Sequence, residues 1–196
     1  MQTSLPYSLL SYIKGKTTVS PELQRQLEKA FRPRAFKAGE QIVRCGQFNQ
    51  HRYFVQKGLA KAYLIDPEGE AHVLGFHLEN TMMYQTESYY GKTRSEVIIE
   101  AVEDMELWAI SRQDEEELLS HPDYLRFAYR QQTDELVEYR TVCRKALYQD
   151  GQGRYAMLMD TFPEILRRVR LKDIASFVGV TPERLSRIRA QFDNVT

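Results

Sequence analysis

The chain has 196 residues, 42% of them hydrophobic, enough for one well-filled core and a smaller second one. Its 27 basic and 27 acidic residues cancel, so no global field draws it to nucleic acid, and any such attraction must come from a local patch. Two cysteines, Cys45 and Cys143, far apart and in no ligand-spaced pattern, exclude a disulfide scaffold and a four-thiolate cluster and fit a reducing, cytoplasmic compartment. No apolar run nears the roughly 18 residues of a membrane span, and MQTSLPYSLLSYIK lacks the sustained apolar core of a signal peptide, so no membrane partner is expected.

Leu5 to Tyr12 is weakly apolar. Ser20-Pro21-Glu22 then opens a helix with Leu23, Leu27 and Ala30 on one face, serine capping it and proline taking the first helical position. From Phe36 the texture changes to short alternating segments such as YFVQ, LAKAYLI and AHVLGF, punctuated by Ala38-Gly39, Cys45-Gly46, Lys57-Gly58 and Asp66-Pro67-Glu68-Gly69. Strands of that length at that turn spacing predict an antiparallel sandwich or roll, with the Asp66 to Gly69 turn as its clearest hairpin. Val97 to Val102 and Met105 to Ile110 are expected to be a last pair, closed by Glu103-Asp104, with Trp108 a core residue. Glu103 to Glu117 carries seven acids against Arg112 alone.

Asp114 to Leu119 reads as a short helix ended before Pro122. From Asp123 to about Tyr148 there is no Gly or Pro, and Leu125, Tyr129, Gln132, Leu136, Tyr139, Cys143 and Ala146 or Leu147 recur at alternating spacings of four and three. A seam of that period buries itself against a second helix. The roll covers only one side of so long a helix, so the simplest partner is the same helix of another copy, a twofold homodimer; the alternative is a helix lying wholly on its own sheet. Cys143 in that seam reads as a small packed residue. Gln149-Asp150-Gly151-Gln152-Gly153 breaks the helix and is the expected hinge. Tyr155, Leu158, Met159 and Phe162 form a stripe expected to cap the helix pair, and Pro163 to Val169 gives one more helical turn.

Leu171 to Arg189, LKDIASFVGVTPERLSRIR, reads as two short helices joined by a tight turn. Leu171, Ile174, Ala175 and Val178 make one apolar stripe. Gly179 stops that helix in the left-handed C-terminal position, Thr181 caps the next, and Pro182 fits its first position. On the second helix Leu185 and Ile188 point inward, Glu183, Ser186, Arg187 and Ala190 outward, and Arg184 and Arg189 lie on the flanks. This is helix-turn-helix geometry. Arg187 can take guanine bidentately, Glu183 can accept from a cytosine amino group, and the flanking arginines can reach phosphates. Pro163 to Ala190 holds seven bases (Arg167, Arg168, Arg170, Lys172, Arg184, Arg187, Arg189) against three acids, the local excess that DNA binding requires. Direct DNA contact is therefore expected from Thr181, Glu183, Arg184, Ser186, Arg187 and Arg189.

A roll of short strands, a long helix, a break and a C-terminal helix-turn-helix together resemble the Crp/Fnr superfamily of bacterial transcription regulators, with LKDIASFVGVTPERLSRIR similar to versions common in Bacteroidetes members and the Lys57-Gly58 hairpin and Arg94-Ser95 also matching. The resemblance runs from Phe36 to Arg189. It implies an α+β fold: an N-terminal antiparallel β-roll of the cyclic-nucleotide-binding, jelly-roll type, a long dimerisation helix and a helix-turn-helix domain. The expected domains are 1–122 (N-terminal helices and roll, the sensor), 123–149 (dimerisation helix and hinge) and 150–196 (DNA reader). It also implies that Glu183 and Arg187 read bases. The best-known members have an arginine where this chain has Pro182, so their operator is not carried over.

The resemblance further implies an effector pocket at Tyr84, Glu87, Arg94 and Ser95. A cyclic-nucleotide pocket in the family uses a Gly-Glu pair for the ribose hydroxyl, then an arginine and a small hydroxyl residue for the phosphate. Counting back from Arg94 and Ser95, Met83 and Tyr84 occupy the Gly-Glu place, and the nearest acid, Glu87, lies three residues later. The default expectation is an unidentified or absent ligand and no cofactor, with a cyclic nucleotide as the less favoured alternative.

The resulting reading is a homodimeric, non-enzymatic transcription factor on a near-palindromic duplex, with RNA polymerase as a further partner. Two alternatives remain: a sensor acting through a protein partner, and a cupin-like metal enzyme, since cupins share the roll. Metal chemistry on a strand needs even spacing, whereas His72 and His77 are five apart and His51 and His121 are isolated, so no metal site is expected.

Overall fold

The computed structural model describes residues 4–193; the first three residues of the N-terminal stretch read above lie outside them. In chain order the elements are α1 (Tyr7–Lys14), α2 (Pro21–Ala30), β1 (Arg32–Phe36), β2 (Gln41–Val43), β3 (His51–Lys57), β4 (Ala60–Ile65), β5 (Ala71–His77), β6 (Met82–Met83), α3 (Thr86–Gly91), β7 (Ile98–Ala101), β8 (Met105–Ser111), α4 (Arg112–Leu118), α5 (Pro122–Leu147), α6 (Gly151–Thr161), α7 (Ile165–Arg168), α8 (Leu171–Val178) and α9 (Pro182–Asp193). This is the expected α+β architecture of antiparallel roll, long helix and helical C-terminus. No helix among the described residues is long and apolar enough to cross a membrane.

The contacts divide the chain into two compact units, one of residues up to Ala62 with Phe76–Leu136, the other of Tyr63–Gly75 with Val137 onward. These differ from the three expected segments at two places. The division falls inside α5 rather than at its end, and the distal half of the β4–β5 hairpin belongs with the C-terminal residues.

Two four-stranded sheets, ordered β1-β8-β3-β6 and β2-β7-β4-β5, build the roll. β3 and β8 pair in the centre of the first sheet, Phe54 opposite Trp108 and Tyr53 opposite Ala109. Side chains alternate across a strand, so each of these strands feeds two cores. Tyr53, Val55, Leu107 and Ala109 join Val43, Ile99, Ala101 and Met105 in one cluster. Phe54, Trp108 and Ile110 join Leu9, Ile13, Leu23, Leu27, Phe31 and the start of α5 (Tyr124, Phe127) in the other. Trp108 is the core residue its sequence context predicts. The Ser20 cap also forms as expected, its hydroxyl accepting from Leu23 N at 3.1 Å.

The strands at 97–102 and 105–110 are not partners. β7 lies beside β2 and β4, while β8 lies beside β1 and β3 in the other sheet. Glu103-Asp104 is thus a corner between sheets, and Asp104 pins it by accepting from Lys37 Nζ (2.7 Å) and Ala38 N (3.1 Å). Period-two alternation is the same whether the chain returns beside itself or crosses to the facing sheet, so the pattern alone does not separate the two. Gly58 sits beneath this corner at φ +96°, where a Cβ would lie 2.7 Å from the Asp104 carbonyl oxygen and 2.8 Å from Met105 Cγ; only glycine fits.

In the second unit α6, α8 and α9 pack together around Tyr155, Leu158, Ile174, Val178, Leu185 and Ile188, all buried. The stripe on α6 therefore serves this unit rather than capping a helix pair: Tyr155 meets Phe192 of α9 edge-on at 5.6 Å. The Asp66 to Gly69 turn closes as predicted, Gly69 N donating to Asp66 O at 3.0 Å.

Candidate nucleic-acid interface

α8 spans the residues its apolar stripe marks, and Gly179 ends it at φ +69°, the left-handed conformation that a β-carbon disfavours. Thr181 then caps α9, its hydroxyl accepting from Arg184 N at 3.3 Å. Leu185 and Ile188 are buried against α8, which leaves Thr181, Glu183, Arg184, Ser186 and Arg187 exposed and Arg189 half-buried on the rim. Five of these six residues lie on α9, with Glu183, Ser186 and Arg187 outward and Arg184 and Arg189 on its flanks, and Thr181 caps it. Ser186 spends its hydroxyl on Pro182 O at 3.0 Å, so in the free protein it offers acceptor lone pairs outward rather than a proton. Glu183 is held below the usual carboxylate range by its own backbone N–H, then by the Thr181 hydroxyl and more weakly by Arg187. It is an acceptor at neutral pH, matched to an exposed amino group.

The seam residues on α5 are open. Leu125 (53%), Tyr129 (71%), Leu136 (54%) and Tyr139 (68%) are exposed, as is Gln132, while Cys143 is half-buried. Gln132 also donates to Tyr90 Oη at 2.6 Å, tying the seam to α3. The opposite face of α5 is the buried one, carrying Tyr124, Phe127, Ala128 and Gln131.

The four expected effector residues do not converge. Tyr84 turns toward α5 and donates to Glu135 Oε2 at 2.8 Å, with the Arg52 guanidinium 4.6 Å over its ring. Glu87 is exposed and accepts from Gln85. Arg94 is exposed, donates to Gly46 O at 2.6 Å and lies 5.2 Å from the Phe48 ring. Ser95 is buried and uses its hydroxyl on Val97, donating to O at 2.7 Å and accepting from N at 3.2 Å. A cyclic nucleotide needs a carboxylate for its ribose hydroxyl and a free arginine-hydroxyl pair for its phosphate. Here the arginine and the serine are each engaged locally and the tyrosine faces a helix, so the residues do not fit that ligand.

Beside Tyr84 lies a polar network that the sequence reading missed. Arg52, fully buried on β3, donates to Glu115 of α4, to Gln131 of α5 and to Tyr90 Oη at 3.2 Å. Glu115 also accepts from Tyr89 Oη (2.7 Å) and Tyr124 Oη (3.0 Å). Burial opposes the Arg52 charge, but Glu115 and then the oxygens of Tyr124, Tyr90 and Tyr84 outweigh it and hold the guanidinium protonated above its ordinary value. Burial, then the Glu115 charge, keep the Tyr89 and Tyr124 phenols protonated as donors. The available signal was a charged residue at the same strand parity as Phe54, hence on an inward face. Two further residues escaped the sequence reading, both in the second unit. Ser176 of α8 accepts from Val73 N (2.9 Å) and donates to Ala71 O (3.1 Å) on β5, and Arg154 of α6 donates to the Val178 and Gln149 carbonyls.

The sequence profile of the cyclic nucleotide-binding domain family matches residues 33–121. No curated protein matches the sequence. Among solved structures, FixK2 from Bradyrhizobium japonicum is similar at 18% identity over 84% of this chain and 85% of its own, with a TM-score of 0.70. A CooA mutant from Carboxydothermus hydrogenoformans is similar at 19% identity over 100% and 86%, TM-score 0.68. A CRP/FNR-family transcriptional regulator from Thermus thermophilus is similar at 19% identity over 83% and 86%, TM-score 0.65. Residues 33–121 thus match the cyclic nucleotide-binding domain profile, and the chain as a whole shares the fold of these solved structures.

Proposed function

We propose that the protein is a sequence-specific DNA-binding transcriptional regulator that acts as a homodimer. The observation that carries this reading is the outward face of α9, where an acid, a hydroxyl and an arginine are flanked by two more arginines and backed by a buried Leu185–Ile188 stripe. Such a helix enters a major groove with Glu183 and Arg187 at base edges and Arg184 and Arg189 toward phosphates. The exposed seam of α5 supplies the twofold, which brings two α9 helices to half-sites about 34 Å apart on a near-palindrome. The solved structures of the same fold, which include regulators of the CRP/FNR family, support the same reading. The roll is then a cyclic-nucleotide-binding-like sensor domain whose ligand is unidentified or absent, a reading supported by the separate local engagements of Tyr84, Arg94 and Ser95.

Selection of bound sequences from a random duplex pool tests this. A near-palindrome emerges, Arg187→Ala loses about 1 to 3 kcal/mol and relaxes one base position, and Arg184→Ala weakens all duplexes alike and shallows the salt dependence. The same loss for both substitutions on every duplex refutes the division of roles. A flat salt dependence refutes DNA binding in favour of a sensor that acts through a protein partner.

A further inference from the structure

Residues 149–153, expected from their glycines to be a hinge, run into the first turn of α6, and together with Arg154 they are keyed to the turn of the helix-turn-helix at Val178, Gly179 and Val180. Arg154 donates from Nε to the Val178 carbonyl (2.7 Å) and from Nη1 to the Gln149 carbonyl (2.7 Å). The first is the last residue of α8 and the second lies two residues beyond the end of α5, so one cation serves the carbonyl-rich ends of two helices. The guanidinium also lies against Gly179, where a Cβ would stand 3.1 Å from Nη2. Gly151 is buried, and a Cβ on it would overlap Val180 Cγ1. Residues 149–154 and 178–180 therefore fit one another, and Arg154 supplies a side-chain hydrogen bond across that fit.

We propose that Arg154 is a positioning residue for DNA reading: it locks the break after α5 to the α8–α9 turn and so fixes the angle at which α9 leaves the end of the dimer helix. The glycine segment then travels with the reader rather than bending beneath it. Arg154 itself touches no DNA. Its effect appears only where two readers must engage at once, because the second engagement is intramolecular and its effective concentration depends on geometry. The inference rests on the dimeric DNA-binding reading above and deepens it.

The test compares full-length wild type, Arg154→Ala and Arg154→Lys on three kinds of duplex: the selected palindrome, a single half-site, and palindromes with one or two base pairs added or removed between half-sites. The expected result for Arg154→Ala is about a tenfold loss on the palindrome, about a twofold change or less on the single half-site, and a flattened spacing profile. Arg154→Lys keeps the charge without the planar fork and recovers only part of the palindrome affinity. Thermal melting of each variant runs alongside, and Arg154→Lys carries the test if the alanine variant does not fold. Equal losses on palindrome and half-site assign Arg154 to fold stability and overturn the proposal. So does a spacing profile unchanged from a wild type that itself discriminates spacing. Absence of duplex binding by wild type instead refutes the DNA-reading function.

Discussion

Arg52 is the sharpest place to perturb the roll, because its side chain has no exposure and its partner Glu115 only 4%. In Arg52→Met the stem volume remains while the charge leaves, and Glu115 is left buried without its cationic partner. Breaking a buried pair from one side costs about 3 to 5 kcal/mol, since the remaining charge is uncompensated. Glu115 still accepts from Tyr89 and Tyr124, which places the loss at the lower end, about 3 kcal/mol. With a urea slope of about 2 kcal/mol/M for a domain of this size, the midpoint falls by about 1.5 M. The single tryptophan, Trp108, is buried in the cluster with Phe54 and Phe127 and reports the transition by fluorescence. Adding Glu115→Gln removes the stranded charge, keeps one acceptor oxygen for one tyrosine and turns an amide N–H toward the hydroxyl oxygen of the other, so the double variant regains at least half of the loss. A midpoint shift below about 0.5 M for Arg52→Met, or a double variant no more stable than the single, refutes the buried-pair argument.

Burial pushes His77, at the end of β5, down to about 4 from 6.5. The folded state then binds fewer protons than the unfolded chain between those values, so this contribution is fully present above pH 6.5 and is lost as pH falls toward 4. Urea midpoints measured from pH 7 to pH 4 decline accordingly, and His77→Gln flattens the decline; an equal slope in both proteins contradicts the assignment. Gly58→Ala meets both a positive φ and the Asp104 carbonyl and costs about 3 kcal/mol, whereas Gly69→Ala, at φ +88° with open space, costs about 1 kcal/mol; thermal melting separates them. Leu136→Lys with Tyr139→Lys converts the protein to a monomer in sedimentation while leaving the helical far-ultraviolet signal, and a persistent dimer contradicts the α5 seam.

The helix-turn-helix was legible because every signal in it is local. Gly179, Thr181, Pro182 and the Leu171–Val178 stripe each act within one helical turn, and the structure places each in that role. The Ser20-Pro21 start and the Asp66–Gly69 turn were legible for the same reason. The long helix, expected from Asp123 to about Tyr148, runs from Pro122 to Leu147, because nothing between those ends breaks a helix.

What the sequence did not contain is which distant groups meet. The strands at 97–102 and 105–110 carry the alternation of a hairpin, yet they part into two sheets, because a short corner and a short turn impose the same residue types. Arg52, Glu115 and Gln131 are separated by 63 and 79 positions from the first to each of the others, and no periodicity links them. The glycines after α5 read as freedom, but Gly151 packs against Val180 and Gly153 against Gln149, while Arg154 bonds the Val178 carbonyl, which makes a fitted joint of them. Local propensity and capping act over a few residues and are written in order along the chain; charge pairing, sheet order and close backbone approach act across space, and only the folded chain decides which residues come near enough to feel them.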